Sequence, residues 1–426
     1  MADELLHDHA GDGIDRRGFL KCMAWAGTGA LWMVQGGVLR SVPLSLLPSL
    51  GGAGLKGDLF FAQISDSHIG FSKEANPDVT ATLQEAVDRL NRLPVRPAFV
   101  LHTGDISHLS RPAEFDTADQ VIKGIRTERV FYVPGEHDVL NDNGKQYLER
   151  YGRKTRGGGW YSFDHAGVHF VGLVNVLDLK AGGLGNLGPE QLAWLERDLA
   201  KRSASTPVVV FAHVPLWTVY PDWGWGTDDG ERALSLLRRF GSVTVLNGHI
   251  HQVMQKTEGN VVFHTAMSTA FPQPVPGTAP SPGPLKVEPG RLRSLLGLTT
   301  VSYTQGSHSL AIVDSPLGVA TTTGGGAAPS TTASAAATPA VVGNAHVVRI
   351  DNFSFNPPDL RVSRGSKVMW INADDVPHLV VSVEGRFRPS PPLDTDDHYT
   401  LALDQPGIYS YFCSLHPRMT GRIVVE

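Results

Sequence analysis

Residues 321–340 read TTTGGGAAPSTTASAAATPA. A run of small and turn-forming residues without apolar periodicity cannot hold a core, and it is expected to be a flexible interdomain linker. Residues 318–343 therefore divide the chain into a larger part, residues 57–317, and a C-terminal part, residues 344–426. A length of 426 residues fits this division, because one domain usually takes about 100–200 residues.

Residues 1–50 read as a targeting segment. Asp15-Arg16-Arg17-Gly18-Phe19-Leu20-Lys21 has the form of a twin-arginine export signal, and the apolar run 22–34 follows it. The run is shorter than the roughly 20 residues that a membrane-spanning helix needs. A signal peptide is expected, cleaved between residues 40 and 57, with a periplasmic or extracellular product. An uncleaved anchor and an apolar helix of the mature fold are the alternatives. The only cysteines are Cys22 and Cys413, too few for a disulfide scaffold. Cleavage would leave Cys413 alone, a thiol open to oxidation unless it is buried or bound to metal. A net charge of -5 gives no basic footprint for nucleic acid.

Apolar runs at 59–64, 98–101, 130–133, 169–174, 208–211 and 243–246 are strand candidates. Helical spacing marks 82–93, and residues 189–200 open on Pro189 with Leu192, Trp194, Leu195 and Leu199 on one face. The alternation predicts an α/β domain. The Pro- and Gly-rich segment 271–290 is expected to be a surface loop. Five short polar clusters fall at or just after the strand candidates. They are Asp66-Ser67-His68, Gly104-Asp105-Ile106-Ser107-His108, Gly135-Glu136-His137-Asp138, His213, and Gly248-His249-Ile250-His251. Open α/β sheets bind ligands at the carboxyl ends of their strands. Imidazole with carboxylate suits Zn, Mn or Fe.

In type and order these clusters resemble the calcineurin-like metallophosphoesterase family, D-x-H, G-D-x-x, G-N-H-[DE], H and G-H-x-H. The resemblance implies a sandwich of two mixed sheets flanked by helices. It also implies two metal ions, divalent or mixed-valence Mn, Fe or Zn. One would be held by Asp66, His68 and His251, the other by His213 and His249, with Asp105 bridging. His137 would be the catalytic acid rather than a ligand. Where the family has Asn this chain has Glu136, which is expected to be a metal ligand or to swing aside for water. As a ligand it would remove positive charge from the site and favour a mono-anionic diester over a dianionic monoester, or favour a trivalent iron that restores the charge. His108 stands where purple acid phosphatases place a ligating Tyr, and would face the substrate or be packed. His102 is expected in the core. His264 and residues 220–226 are candidates for lining the pocket, and the latter could equally pack on the neighbouring domain.

After the linker, short strand candidates at 347–350, 367–371, 379–381, 399–401 and 408–412 predict a small all-β sandwich. Cys413-Ser414-Leu415-His416-Pro417-Arg418-Met419 has the form C-x2-H-x2-M, and His378 lies upstream. Two His, a thiolate and a weak axial Met define a blue-copper site. This part resembles the cupredoxins, with a ligand loop most similar to that of amicyanin. One copper ion held by His378, Cys413, His416 and Met419 is implied. The chain as a whole is expected to be an exported hydrolase of a small phosphomonoester or phosphodiester, with a redox partner for its copper domain. The open alternative is a copper-binding or electron-transfer protein whose larger domain is a catalytically weak scaffold.

Overall fold

The computed structural model describes residues 30–35, 38–43, 59–304, 310–318, 341–342 and 345–426. It forms two units, Met1–Leu55 and Lys56–Glu426. In the first, Ala30–Gln35 pairs antiparallel with Val38–Pro43. The twin-arginine sequence, most of the expected cleavage window and most of the linker lie outside the described residues. Among the described residues no helix is long and apolar enough to cross a membrane.

The larger domain begins with β1 (Leu59–Ile64), α1 (Val79–Asn91), β2 (Val100–His102), α2 (Pro112–Ile122) and β3 (Val130–Tyr132). It continues through α3 (Lys145–Tyr151), β4 (Tyr161–His165), β5 (Val168–Gly172), α4 (Pro189–Leu199) and β6 (Val208–Phe211). Helix α5 (Gly230–Leu237) leads to β7 (Val243–Asn247), β8 (Gln255–Glu258), β9 (Val261–Thr265), β10 (Gly297–Tyr303) and β11 (Ala311–Pro316). Two mixed sheets result, in the orders β11-β10-β1-β2-β3 and β8-β9-β7-β6-β5-β4. Each sheet contains a run of neighbouring parallel strands: β1, β2 and β3 in one, and β5, β6, β7 and β9 in the other. Their carboxyl ends therefore share a side, and the polar clusters follow them.

Burial explains the layers. Phe61, Phe99, Phe170, Phe211 and Leu246 belong to one buried cluster that joins strands of both sheets. There Phe99 stacks on Phe61 at 5.0 Å and meets Phe170 edge-on at 5.1 Å, arrangements that suit aromatic quadrupoles. Helices α1 and α2 bury Leu83, Val87, Phe115 and Ala118 against one sheet. Helices α4 and α5 bury Leu192, Leu195, Leu199 and Leu237 against the other. Helix α1 starts on Asp78, whose carboxylate accepts the Ala81 N–H at 2.9 Å and so satisfies one free donor of the first turn.

The C-terminal domain is a sandwich of a five-stranded and a four-stranded sheet around Val348, Trp370, Tyr411 and Ile423. Two expectations change. Val341-Val342, taken as the end of the linker, pairs with Ala345 and His346 as a sheet edge. The strand expected at 379–381 is Val381–Ser382. Its start is displaced because His378 exchanges backbone hydrogen bonds with Leu393 and the Leu379 N–H points at the Cys413 sulfur. The last strand, Thr420–Val425, completes the sheet by pairing antiparallel with Gly407–Phe412 and parallel with Asp359–Val362.

Candidate metal centres

Three of the five clusters of the larger domain sit on left-handed backbone just after a strand. Asp66, His68, Asp105, His249 and His251 all have φ between 41° and 69°. This left-handed region is uncommon for side chains other than glycine and tends to concentrate at functional sites. The loops also approach each other closely. A Cβ on Gly135 would stand 2.0 Å from Asp105 Oδ1, and one on Gly104 would stand 2.5 Å from His213 Nδ1. Asp138, which the sequence reading left without a role, ties the second and third clusters together. Its carboxylate accepts the N–H groups of Ile106 at 3.1 Å, Ser107 at 2.8 Å and Gly135 at 3.0 Å.

Asp66, His68, Asp105 and His251 each present a donor atom within 4.8 Å of the others, and Glu136, His213 and His249 form a second such group. Asp105 Oδ2 lies 3.5 Å from His68 Nε2 and 3.3 Å from His213 Nε2, between the groups. Glu136 is turned inward, with one oxygen 3.0 Å from His213 Nε2 and the other 2.9 Å from His249 Nδ1. The outer nitrogens are anchored. His213 Nδ1 donates to Thr103 O and His251 Nδ1 to Phe271 O, both at 2.7 Å. Such bonds fix the tautomer and leave the inner nitrogen lone pair free for a metal. His137 Nδ1 donates to His108 O at 2.8 Å, and its ring stands 4.6 Å from that of His68.

The electrostatics call for a cation. Burial alone would raise Asp66, but His251 and His213 outweigh it and hold the carboxyl at about 2. Burial and the neighbouring Glu136 push Asp105 well up. Burial opposes a charge on His213, yet Asp105 and Glu136 raise it well above the ordinary imidazole range. Asp66 Oδ2, Glu136 Oε2, His213 Nε2 and His249 Nδ1 are buried and lack a hydrogen bond among the described residues. Unsatisfied carboxylate and imidazole atoms in one dry site are costly unless charge enters. A pair of metal ions fits that donor set.

His102 Nε2 meets Ser67 Oγ at 2.9 Å in the core. His264 Nε2 pairs with Asp314 at 3.0 Å. His108 is buried beside His68 and His137. Trp223 lines the cavity over the cluster, and its neighbour Gly224 approaches Arg418 of the C-terminal domain, so residues 220–226 serve both surfaces.

In the C-terminal domain Cys413 Sγ lies 3.6 Å from His378 Nδ1 and 3.7 Å from His416 Nδ1, and the two nitrogens are 3.2 Å apart. The Leu379 N–H points at the sulfur at 3.5 Å. The Cys413 N–H donates to Met419 O at 3.0 Å, which closes the loop and brings buried Met419 alongside. Burial would raise the thiol, but His378 outweighs it and lowers Cys413. Asp374, absent from the sequence reading, accepts from His378 Nε2 at 2.9 Å. The same carboxylate accepts the N–H groups of Asn352 at 2.6 Å and Phe353 at 2.9 Å.

Although a tract expected to be flexible joins them, the two domains lie against each other. His416 lines the same pocket as Asp105, Glu136, His137 and His249. Direct contacts hold the domains together. Arg418 donates to Gly182 O at 2.8 Å, the Gly182 N–H donates to Pro417 O at 2.5 Å, and Lys73 lies 3.7 Å from Asp394.

Comparison with known proteins agrees with both halves. The calcineurin-like phosphoesterase family matches residues 61–253, and the copper binding proteins of the plastocyanin/azurin family match residues 343–426. Amicyanin-alpha of Methylorubrum extorquens is 35% identical over 83 residues, which are 18% of this chain and 70% of that protein. The glycerophosphodiester phosphodiesterase GpdQ of Enterobacter lignolyticus is 29% identical over 230 residues, 51% of this chain and 79% of that protein. The serine/threonine-protein phosphatase CPPED1 of Danio rerio is 26% identical over 226 residues, 46% of this chain and 71% of that protein. With five polar clusters converging at the strand ends and a Cys-His-His group in the C-terminal sandwich, the chain carries a calcineurin-like, metal-dependent phosphoesterase domain and a C-terminal copper-binding domain of the plastocyanin/azurin family.

Proposed function

We propose that this chain is an exported phosphoesterase with a dinuclear centre, acting on a phosphodiester in preference to a monoester, with an appended type 1 copper site. The observation that carries the reading is the convergence of Asp66, His68, Asp105, Glu136, His213, His249 and His251, with Asp66 Oδ2, Glu136 Oε2, His213 Nε2 and His249 Nδ1 buried without a hydrogen bond among the described residues. In this reading Asp66, His68 and His251 would hold one ion and Glu136, His213 and His249 the other, with Asp105 within reach of both groups. The all-N/O donor set suits Mn, Fe or Zn. A metal pair held there would supply charge neutralisation of the phosphoryl oxygens and activation of water at neutral pH. The resemblance to a phosphodiesterase over 79% of its length supports the diester, as does the third carboxylate.

The protein's own groups do the rest. Bonds to Thr103 O and Phe271 O hold His213 and His251 in orientation, so little rearrangement is needed when charge develops. His137 is the proton-transfer group. Its Nδ1 is engaged by His108 O, which leaves Nε2 to reach the leaving oxygen. Burial is the main reason that His137 is held down at about 4. At neutral pH its Nε2 is therefore bare until the negative charge of a bound phosphoryl group favours a proton there.

Export rests on Arg16-Arg17 followed by the apolar run. The copper reading rests on His378, Cys413 and His416 within 4.8 Å of one another, and on Met419 at the loop's end.

Four outcomes test these readings. His137→Ala should keep the metal content and lower kcat by about 10²–10⁴-fold, whereas Asp105→Ala should lose both metal and turnover. Elemental analysis beside kinetics checks this, and equal metal loss in the two variants would make His137 a ligand. Glu136→Asn should shift kcat/KM toward p-nitrophenyl phosphate and away from bis(p-nitrophenyl) phosphate at matched metal content. An unchanged ratio would remove the charge argument. Copper(II) should give an intense visible thiolate band that Cys413→Ser abolishes; a colourless complex would exclude a type 1 site. Replacing Arg16 and Arg17 together by Lys should retain the chain in the cytoplasm on fractionation, and unimpaired export would rule out the twin-arginine route.

A further inference from the structure

A cavity of about 250 Å³ lies between the two domains. Glu136 and His249 of the candidate metal centre line it, together with Leu184 and Trp223 from the larger domain and Phe353 and Leu415 from the copper domain. A smaller adjoining pocket shares Glu136, Trp223, His249, Phe353 and His416, and reaches His68 and His251. We propose that this interdomain cavity receives the non-reacting ester group of the phosphodiester, and that this group is compact, about the size of a substituted aryl ring, and packs against Trp223 and Phe353.

The inference rests on the phosphoesterase reading above, and three observations carry it further. First, the cavity is continuous with the metal cluster. A diester phosphorus held there has two ester oxygens. One departs near His137, and the other carries a group that must be housed beside the cluster. Second, Leu184, Trp223, Phe353 and Leu415 give the cavity an aliphatic and aromatic face, with Asp222 and Arg418 also on its walls. The volume lies below the roughly 300–1,000 Å³ usual for ligand pockets, which suits a group of one ring rather than a lipid chain. Third, the wall from the copper domain is rigidly built. Phe353 and Asn352 have φ of 52° and 54°, a region where a bulky side chain is a genuine outlier. The Asp374 carboxylate holds both of their N–H groups. The Phe353 ring meets His416 edge-on at 4.7 Å. From the other domain, Gly283 comes so close that a Cβ there would stand 3.0 Å from the same ring. A strained aromatic clamped between two domains beside a catalytic cluster is suited to shape selection. In this arrangement the copper domain is part of the hydrolase's specificity pocket.

The test uses full-length, metal-loaded protein and two diesters with one leaving group, methyl p-nitrophenyl phosphate and phenyl p-nitrophenyl phosphate. The wild type should prefer the phenyl ester, and Phe353→Ala should lower the phenyl-to-methyl ratio of kcat/KM by about tenfold. Retention of the visible copper band will show that the variant's copper domain is folded. Should Phe353→Ala fail to fold, Trp223→Ala removes the facing wall and should lower the same ratio. Turnover of both esters with a ratio that neither variant changes overturns the proposal. If wild-type protein turns over neither ester, the phosphoesterase reading fails by itself. Calorimetry then decides the cavity: tighter binding of phenylphosphonate than of methylphosphonate, lost in Phe353→Ala, upholds it, and equal binding overturns it.

Discussion

The larger domain is organised around keeping three carboxylates, Asp66, Asp105 and Glu136, together out of water. Each is buried, and their mutual repulsion in a dry site is tolerable only with positive charge among them. The imidazoles of His68, His213, His249 and His251 surround them, and His213 is drawn toward its charged form. The backbone accommodates this arrangement. Left-handed residues at the strand ends turn the side chains inward, and Gly104 and Gly135 let one loop press on the next. The two sheets, with parallel strands at their centres, make a stiff base for those loops.

The copper domain obeys a related constraint with softer ligands. A buried thiol beside two imidazoles is held by a short loop, and Asp374 fixes one of those imidazoles from outside. Because Asp374 also holds the Asn352-Phe353 turn, one carboxylate links the position of His378 to the wall of the interdomain cavity. The Cys-His-His group in one domain and the cavity wall between the domains are therefore connected through a single side chain.

Much of this was legible in the chain. Ligand residues that follow apolar strands keep a fixed local spacing, so the five clusters and the C-x2-H-x2-M loop could be read without coordinates. Helix α4 was legible from Pro189 and the spacing of Leu192, Leu195 and Leu199, all of which are buried. The edge strands β4 and β8 were not. Their residues are largely exposed or half-buried, so no strong apolar pattern marks them. Asp138 stands within a cluster that was read, and its motif position could have flagged it. Asp374 had no such signal, because its partners are His378 and two backbone N–H groups that come together only in the folded domain.

By itself, then, the sequence determined the residue types, their order and the two kinds of chemistry they support, since donor identity and local spacing are properties of the chain. Tertiary structure alone decided that Glu136 points inward between His213 and His249, and that His416 shares a cavity with the phosphoester site. Both depend on contacts between segments far apart in sequence. The low-complexity tract, read alone, predicts a flexible join and says nothing of a contact. The two domains meet because surface groups such as Arg418 and Gly182 are complementary, and complementarity between distant surfaces leaves no periodic trace in a sequence.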